Sequence, residues 1–387
     1  MHHRLAYSLP IIGMLTLGSS ALANEPIKIG VMFPLTGPIA ANGVPTRDAI
    51  KLAFDEIGNQ VAGRKVELIF EDSAGKPDIG LTKIKSLVER NKVDLLLSEL
   101  TGSVGAAVAP YVIAQKIPWL STVALSSLTR DLKSPYIFRF APSSYQFAVA
   151  GAESAKKLGW KKAYFIGWNA PVGRESLDAV KKVFGDGIVD AMFANVGTAD
   201  FAPYLTKIDP SKADGVFVAL WGSDAPRITQ QFAEYGLSKK MQFFGLASFT
   251  SEELLANMPP ESVGILSSYP YCGTLDTPEN KAFVSAYNAK YNALPGSYQY
   301  LGYQAAKMLI KAIEDVKGNV QDREALTAAL SKLESKGPMG VTKFDENQGI
   351  VTDFFLLKVG VGPDGKLQNI CTDRLPQVED PYKMFPK

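Results

Sequence analysis

The sequence predicts an α/β protein built as two lobes, each a mostly parallel sheet flanked by helices, with three crossover strands between them. Short β-rich runs alternate with helical patterns from Ile27 to about Phe249, the mark of βα units and parallel sheets. Eight such strands would make one large sheet, and 387 residues exceed what a single hydrophobic core usually organises. Extended apolar runs behind proline-marked loops give the chain places to change sheets. Ile137 to Ala141 follows Ser134-Pro135, and Gly264 to Tyr271 follows Pro259-Pro260. A third crossing is expected near Thr342 to Val351.

In chain order the strands are read at Ile27 to Met32, Val66 to Phe70, Val93 to Leu97, Pro118 to Ser121, Ala163 to Gly167, Ile188 to Phe193, Gly215 to Leu220 and Gln242 to Gly245. A final strand is read at Asp353 to Val359. In the first helix Ile50, Ala53, Phe54 and Ile57 follow i, i+3, i+4, i+7 spacing, and Pro45 stands near the start, where its missing N–H costs little. Later helices are read at Asp78 to Asn91, Val104 to Gln115, Tyr145 to Leu158, Gly173 to Phe184, Ala225 to Tyr235, Pro278 to Tyr291 and Tyr298 to Val316. The expected division is 24–142 plus 270–345 for the first lobe and 143–269 plus 346–387 for the second.

Residues 1–23 read as a cleavable export signal: Arg4 supplies a basic start, Leu9 to Leu17 an apolar stretch, and Ala21-Leu22-Ala23 a small-x-small site, with cleavage after about Ala23. The stretch is too short to span a bilayer, and no later window reaches eighteen consecutive apolar residues. An exported, soluble periplasmic protein is expected, against a retained N-terminal anchor as the alternative. Formal charge is +2, and loss of Arg4 brings it to about +1, with no long run of either sign, so neither nucleic acid nor an anionic membrane is implied as partner. The two histidines, His2 and His3, both fall in the signal. Their loss excludes a Ser-His-Asp triad, a Cys-His dyad and a histidine-bearing zinc site. Cys272 and Cys371 are left open as a disulfide or two separate buried thiols, since pairing needs their α-carbons within about 7 Å.

Four segments in register, IKIGVMFPLTGPIAANG, LLLSELTGSVGAAVAP, IPWLSTVALSS and IFRFAPSS, resemble the periplasmic leucine/isoleucine/valine-binding proteins, the type I solute-binding proteins of ABC importers. The resemblance runs over essentially the whole chain after the signal. It implies the two-lobed type I periplasmic-binding-protein fold, a monomer, no metal or organic cofactor, and delivery of a small molecule to a membrane permease with a separate ATPase. A ligand-sensing partner of a membrane receptor is the competing class, since it would use the same cleft. An enzyme has little support: Ser73-x-x-Lys76 and Ser154-x-x-Lys157 are bare S-x-x-K spacings, and Thr101-Gly102-Ser103-Val104-Gly105 falls one glycine short of a nucleophile elbow.

A helix start after the third strand, at Thr101, Gly102 and Ser103, offers free N–H donors and partial positive charge at the carboxyl end of a sheet, where a carboxylate is the natural guest. Capping of that helix by Thr101 or Ser103 is the plainer reading of the same residues. The resemblance places the second carboxylate contact at the backbone of Val123 and Ala124, with Leu125 or Ser126 beside it. It places Val172 and Trp221 as second-lobe lids, Tyr298 as a first-lobe aromatic returning to the cleft, and Asn42 near the ligand's path. Amino-acid binders of the family carry an acidic residue at the position matching Ala247. Burying an ammonium without an anionic partner costs several kcal/mol. A carboxylate ligand lacking the α-ammonium is therefore expected, an aromatic or other hydrophobic acid, unless Asp224 or Glu99 substitutes. Branched-chain or other hydrophobic amino acids remain the alternative.

Overall fold

The structure, a computed structural model, describes residues 25–37 and 39–385, so the leader read at 1–23 and its Ala23 site lie outside the described residues. Among the described residues fifteen strands fall into two sheets. The first holds β1 (Ile27–Phe33), β2 (Gln60–Val61), β3 (Arg64–Asp72), β4 (Leu95–Ser98), β5 (Trp119–Ser121) and β6 (Ile137–Arg139), in the order β2-β3-β1-β4-β5-β6. Only the β2–β3 hairpin is antiparallel. The second holds β7 (Ala163–Trp168), β8 (Ile188–Ala194), β9 (Gly215–Ala219), β10 (Gln242–Gly245), β11 (Leu266–Tyr269), β12 (Glu334–Gly337), β13 (Gly340–Phe344), β14 (Ile350–Val361) and β15 (Leu367–Val378).

The second sheet is mixed. From β8 through β7, β9, β10 and β11 the pairing is parallel, and from β11 onward through β14 and its partners it is antiparallel. The final strand read at Asp353 to Val359 is a twelve-residue strand, and β15, which the sequence reading lacked, folds back on it as a hairpin. Parallel pairing needs a crossover of a dozen or more residues, whereas the short turn between β14 and β15 can only return antiparallel.

Both sheets bury two faces, and the period of two assigns each residue to a side. Ile29, Val31, Leu97 and Leu120 face one core, while Met32, Leu96 and Trp119 face another. Ile166, Val216 and Val218 likewise oppose Phe165, Phe217 and Ala219 in the second sheet. Helices α1 (Ala40–Asp55), α2 (Pro77–Lys85), α3 (Gly102–Ala114) and α4 (Ser127–Arg130) accompany the first sheet, with α2 running on into a wider turn at Ser86–Arg90. Helices α5 (Ser144–Lys157), α6 (Pro171–Phe184), α7 (Ala202–Leu205), α8 (Asp224–Glu234) and α9 (Glu252–Leu255) accompany the second. The chain then returns through α10 (Pro278–Tyr291), α11 (Ser297–Asp315) and α12 (Arg323–Lys332) to the first core. α11 lies against α1 so closely that a Cβ on Gly302 would come within 2.4 Å of the Thr46 carbonyl oxygen. That contact fixes where the start of α11 points.

Cys272 and Cys371 are joined as a disulfide, their α-carbons 6.1 Å apart. The bond links the segment after β11 to β15. Among the described residues no helix is long and apolar enough to cross a membrane, and no group of histidine, cysteine and carboxylate side chains could hold a metal ion.

Candidate functional site

A cavity of about 900 Å³ opens where the loops after the strands of the two sheets meet. First-lobe elements bring Asn42 of α1, Thr101 and Gly102 at the start of α3, Thr122, Ala124 and Leu125 after β5, and Tyr298 and Tyr300 of α11. The facing wall brings Val172, Trp221, Arg227, Ala247 and Glu253, and Phe140, Phe147 and Tyr269 line the sides.

On the first wall, Glu99 follows β4 with a φ of 78°, a left-handed conformation that costs a non-glycine residue about a kcal/mol or more. Its Oε1 accepts hydrogen bonds from the backbone N–H groups of Leu100 (3.1 Å) and Thr101 (2.9 Å). Burial raises its pKa against the pull of those bonds. Glu99 is therefore engaged with its own loop and does not line the cavity. Thr101, the N-cap of α3, is extended, and no side chain caps the helix. The first N–H groups of a helix have no intrahelical acceptor, so this uncapped start is a donor site on the cavity. The plain capping role for Thr101 is absent from the structure.

The expected contacts divide at this point. Asn42, Thr101, Gly102, Ala124, Val172, Trp221, Ala247 and Tyr298 all line the cavity. Ser103, Val123 and Ser126 do not. Ser103 is exposed one residue further round the helix. Val123 packs into the core against Gly105, where a Cβ would meet its methyls at 3.1 Å, and its N–H is directed to the Ser121 hydroxyl. Ser126 is buried and turned to a second cavity, while Leu125 faces the first.

On the second wall Trp221 packs on Trp168 with ring centroids 4.4 Å apart. The Trp168 indole N–H donates to Asp224 (2.8 Å), which also accepts from Gly197 N–H (2.9 Å) and pairs with Arg227 (3.1 Å). Asp224 is spent on these partners and lies outside the cavity lining, so neither suggested substitute for an acidic residue serves. Ala247 has a φ of 51°, a second left-handed position, this one on the cavity lining.

Glu253 was missed by the sequence reading, which looked for an acid beside Ala247. It stands six residues on, in a separate short helix, and is the one carboxylate among the described residues lining the cavity. The signal available was Ser251-Glu252-Glu253, an acidic helix start with nothing to show which way it faced. Arg227, Phe140, Phe147 and Tyr269 were missed as well. Phe140 and Tyr269 lie on the two extended runs expected to change sheets, and such runs necessarily border a cleft between lobes. Burial, with the charge of Glu253, pushes the Tyr298 hydroxyl up to about 12, against hydrogen bonding from Ser248 and Asn42.

The arrangement presents aromatic rings, uncapped helix N–H donors, one guanidinium and one carboxylate to a small molecule. A family model described as periplasmic binding protein matches residues 26–366. The chain is 27% identical over 372 residues to a Leu/Ile/Val-binding protein homolog of Brucella melitensis, covering 94% of this chain and 95% of the relative. An ABC transporter substrate-binding protein from Sphaerobacter thermophilus superposes with a TM-score of 0.88 at 35% identity, over 92% of this chain and 99% of that one. A solute-binding protein of an ABC transporter from Rhodopseudomonas palustris, in complex with 3,4-dihydroxybenzoic acid, superposes with a TM-score of 0.83 at 29% identity, over 92% and 99%. Two lobes of α/β structure, a cleft at the strand ends and these matches together make the chain a member of the periplasmic binding protein family, with the type I fold.

Proposed function

We propose that this protein captures a small aromatic or other hydrophobic carboxylate between its lobes and delivers it, as a monomer in the periplasm, to the permease of a branched-chain-amino-acid-type ABC importer with a separate ATPase. The observation that carries the ligand class is the start of α3, where Thr101 and Gly102 border the cavity and no side chain caps the helix. A carboxylate placed there gains N–H donors and the helix dipole. Arg227, paired with Asp224, leaves guanidinium N–H donors on the facing wall, and the rings of Trp221, Phe147, Tyr269, Tyr298 and Tyr300 suit a flat apolar body. The 3,4-dihydroxybenzoic acid held by the R. palustris relative supports the same class. Only a closed form gives the ligand contacts from both lobes, so ligand binding favours closure. Val172, Ala247 and Asn42 complete the proposed contacts, and no turnover of the ligand is part of this reading.

One observation favours a second reading. Glu253 could pair with the ammonium of a hydrophobic amino acid, the ligand class in the name of the Brucella relative. A thermal-shift screen separates the two, since a ligand that binds only the folded state stabilises it by about 2.7 kcal/mol at a hundred times its Kd. Benzoate, 4-hydroxybenzoate and 3,4-dihydroxybenzoate are expected to raise the Tm, and leucine, isoleucine and valine to leave it unchanged. Tight leucine binding with no response to the acids would overturn the proposal.

A further inference from the structure

We infer that Glu253 is the specificity-determining residue of the cleft and acts through a proton shared with Glu252, so that capture of an anionic ligand takes up a proton from solvent. The inference rests on the carboxylate reading above. It begins from where the two side chains lie. α9 belongs to the second lobe, with Leu255 in its core, whereas α11 belongs to the first. Across that boundary the Glu253 carboxylate accepts from the backbone N–H of Tyr298 (3.5 Å) and from the Ser297 hydroxyl (3.3 Å). Glu252 accepts from the Ser297 N–H (3.2 Å) and, on its other oxygen, from the Asn369 amide of β15 (3.0 Å). The N-cap of α11 is Gly296, where a Cβ would stand 2.6 Å from Glu253 Oε1. Two carboxylates of one lobe thus occupy the start of a nineteen-residue helix of the other.

No cation balances them. Among the described residues neither glutamate has an ion-pair partner, and Arg227, the one basic residue on the cavity wall, is held by Asp224. The titratable groups that face the pair are phenols: Tyr269 and Tyr271 at and beyond β11, Tyr287 of α10 and Tyr298 of α11. None supplies positive charge. A helix start stabilises about half a unit of negative charge, enough to favour one anion over two. Two adjacent half-buried carboxylates set against one helix start hold one proton between them, and the titration belongs to the pair. Burial, then the charge of Glu253, pushes Glu252 up to about 8, and burial raises Glu253 too. A ligand carboxylate in the same cavity adds a further like charge and moves the equilibrium toward the singly protonated pair where pH would otherwise remove its proton. An amino-acid ligand would do the reverse, since its ammonium needs Glu253 ionised.

The test is titration calorimetry with 4-hydroxybenzoate in phosphate and in Tris between about pH 6.5 and 8.5, where the difference in heats counts protons. Wild-type protein is expected to take up close to one proton per ligand at the upper end, its affinity falling by up to about tenfold per pH unit. Glu253→Gln should lose the uptake and show affinity nearly flat with pH, and Glu252→Gln, checked by thermal melting for folding, should reduce the uptake as well. Buffer-independent heats in the wild type, or undiminished uptake in both variants, would overturn the inference while leaving the carboxylate reading standing. Binding of leucine without proton uptake, and none of 4-hydroxybenzoate, would overturn both.

Discussion

Trp221 and Ser103 show what residue-level reasoning can and cannot read. Both follow a strand and stand near a helix start, and the sequence made both candidates. Trp221 reaches the cavity, packed on Trp168, whose indole N–H is fixed by Asp224. Ser103 lies one position round α3 and faces solvent. A helix advances about 100° per residue, so one position decides whether a side chain meets the ligand. Trp221→Ala is expected to weaken binding of the aromatic acid by about 10- to 100-fold, the order of one buried aromatic contact, with the Tm of the unliganded protein little changed. Ser103→Ala should bind within about twofold of wild type. Calorimetry on the two variants checks both, and unchanged affinity in the tryptophan variant would remove Trp221 from the site. Glu253 was not legible because its role depends on α11, whose start lies more than forty residues further along the chain. No local pattern reports that meeting.

At the level of elements, the strand Gln242 to Gly245 and the helix Pro278 to Tyr291 were legible to their ends, with the same limits in sequence and structure. β15 was not, and the reason is physical. Its sequence, LQNICTDRLPQV, has one face toward solvent and a proline inside. Pro376 is tolerated because it falls at a register shift between Thr352/Phe354 of β14 and their partners, where Gln377 N–H is taken by the Asp353 carboxylate (2.8 Å) instead of the ladder. α12 was missed too, although Asp322 caps it through the Ala325 N–H at 2.9 Å. The disulfide ties β15 to the segment leaving β11, across 99 residues of sequence. Closing a loop of about that length restricts the unfolded chain by roughly 4–5 kcal/mol in the entropic model. Reduction, or Cys371→Ser, is expected to lower the Tm by several degrees while ligand binding persists, because neither cysteine lines the cavity. Melting curves with and without reductant check this, and an unmoved Tm would show that the hairpin holds without the bond.

The molecule as a whole carries its buried carboxyl groups where segments converge, and that placement sets its response to pH. Glu252 and Glu253 meet α11 across the cleft. Behind the cleft, Arg139 of β6 and Asp380, from the segment after β15, form a fully buried ion pair at 2.5 Å. Asp345 and Glu175 crowd that pair; burial raises Asp345 to about 6 and pushes Glu175 upward. A carboxyl group whose pKa is higher folded than unfolded binds more protons in the folded state, so its stabilising contribution is complete below the unfolded value and lost as pH rises through the folded one. For Glu252 that window runs from 4.5 to about 8, and for Asp345 from 3.8 to about 6. Asp55, Asp72, Asp214 and Asp373 are shifted down and act in the opposite sense, losing their contribution as pH falls below the ordinary carboxylate range. These four lie near the surface, where solvent and salt screen them. The more deeply placed groups therefore dominate, and stability without ligand should peak on the acid side of neutrality and decline from about pH 5 to 8. Melting temperatures across that range measure the decline. Glu252→Gln and Glu253→Gln should each flatten it above pH 6, while leaving the portion below pH 6 that belongs to Asp345. A wild-type curve that rises over the same interval would mean that these carboxyl groups ionise freely in the folded protein, and that the cleft admits water to the start of α11.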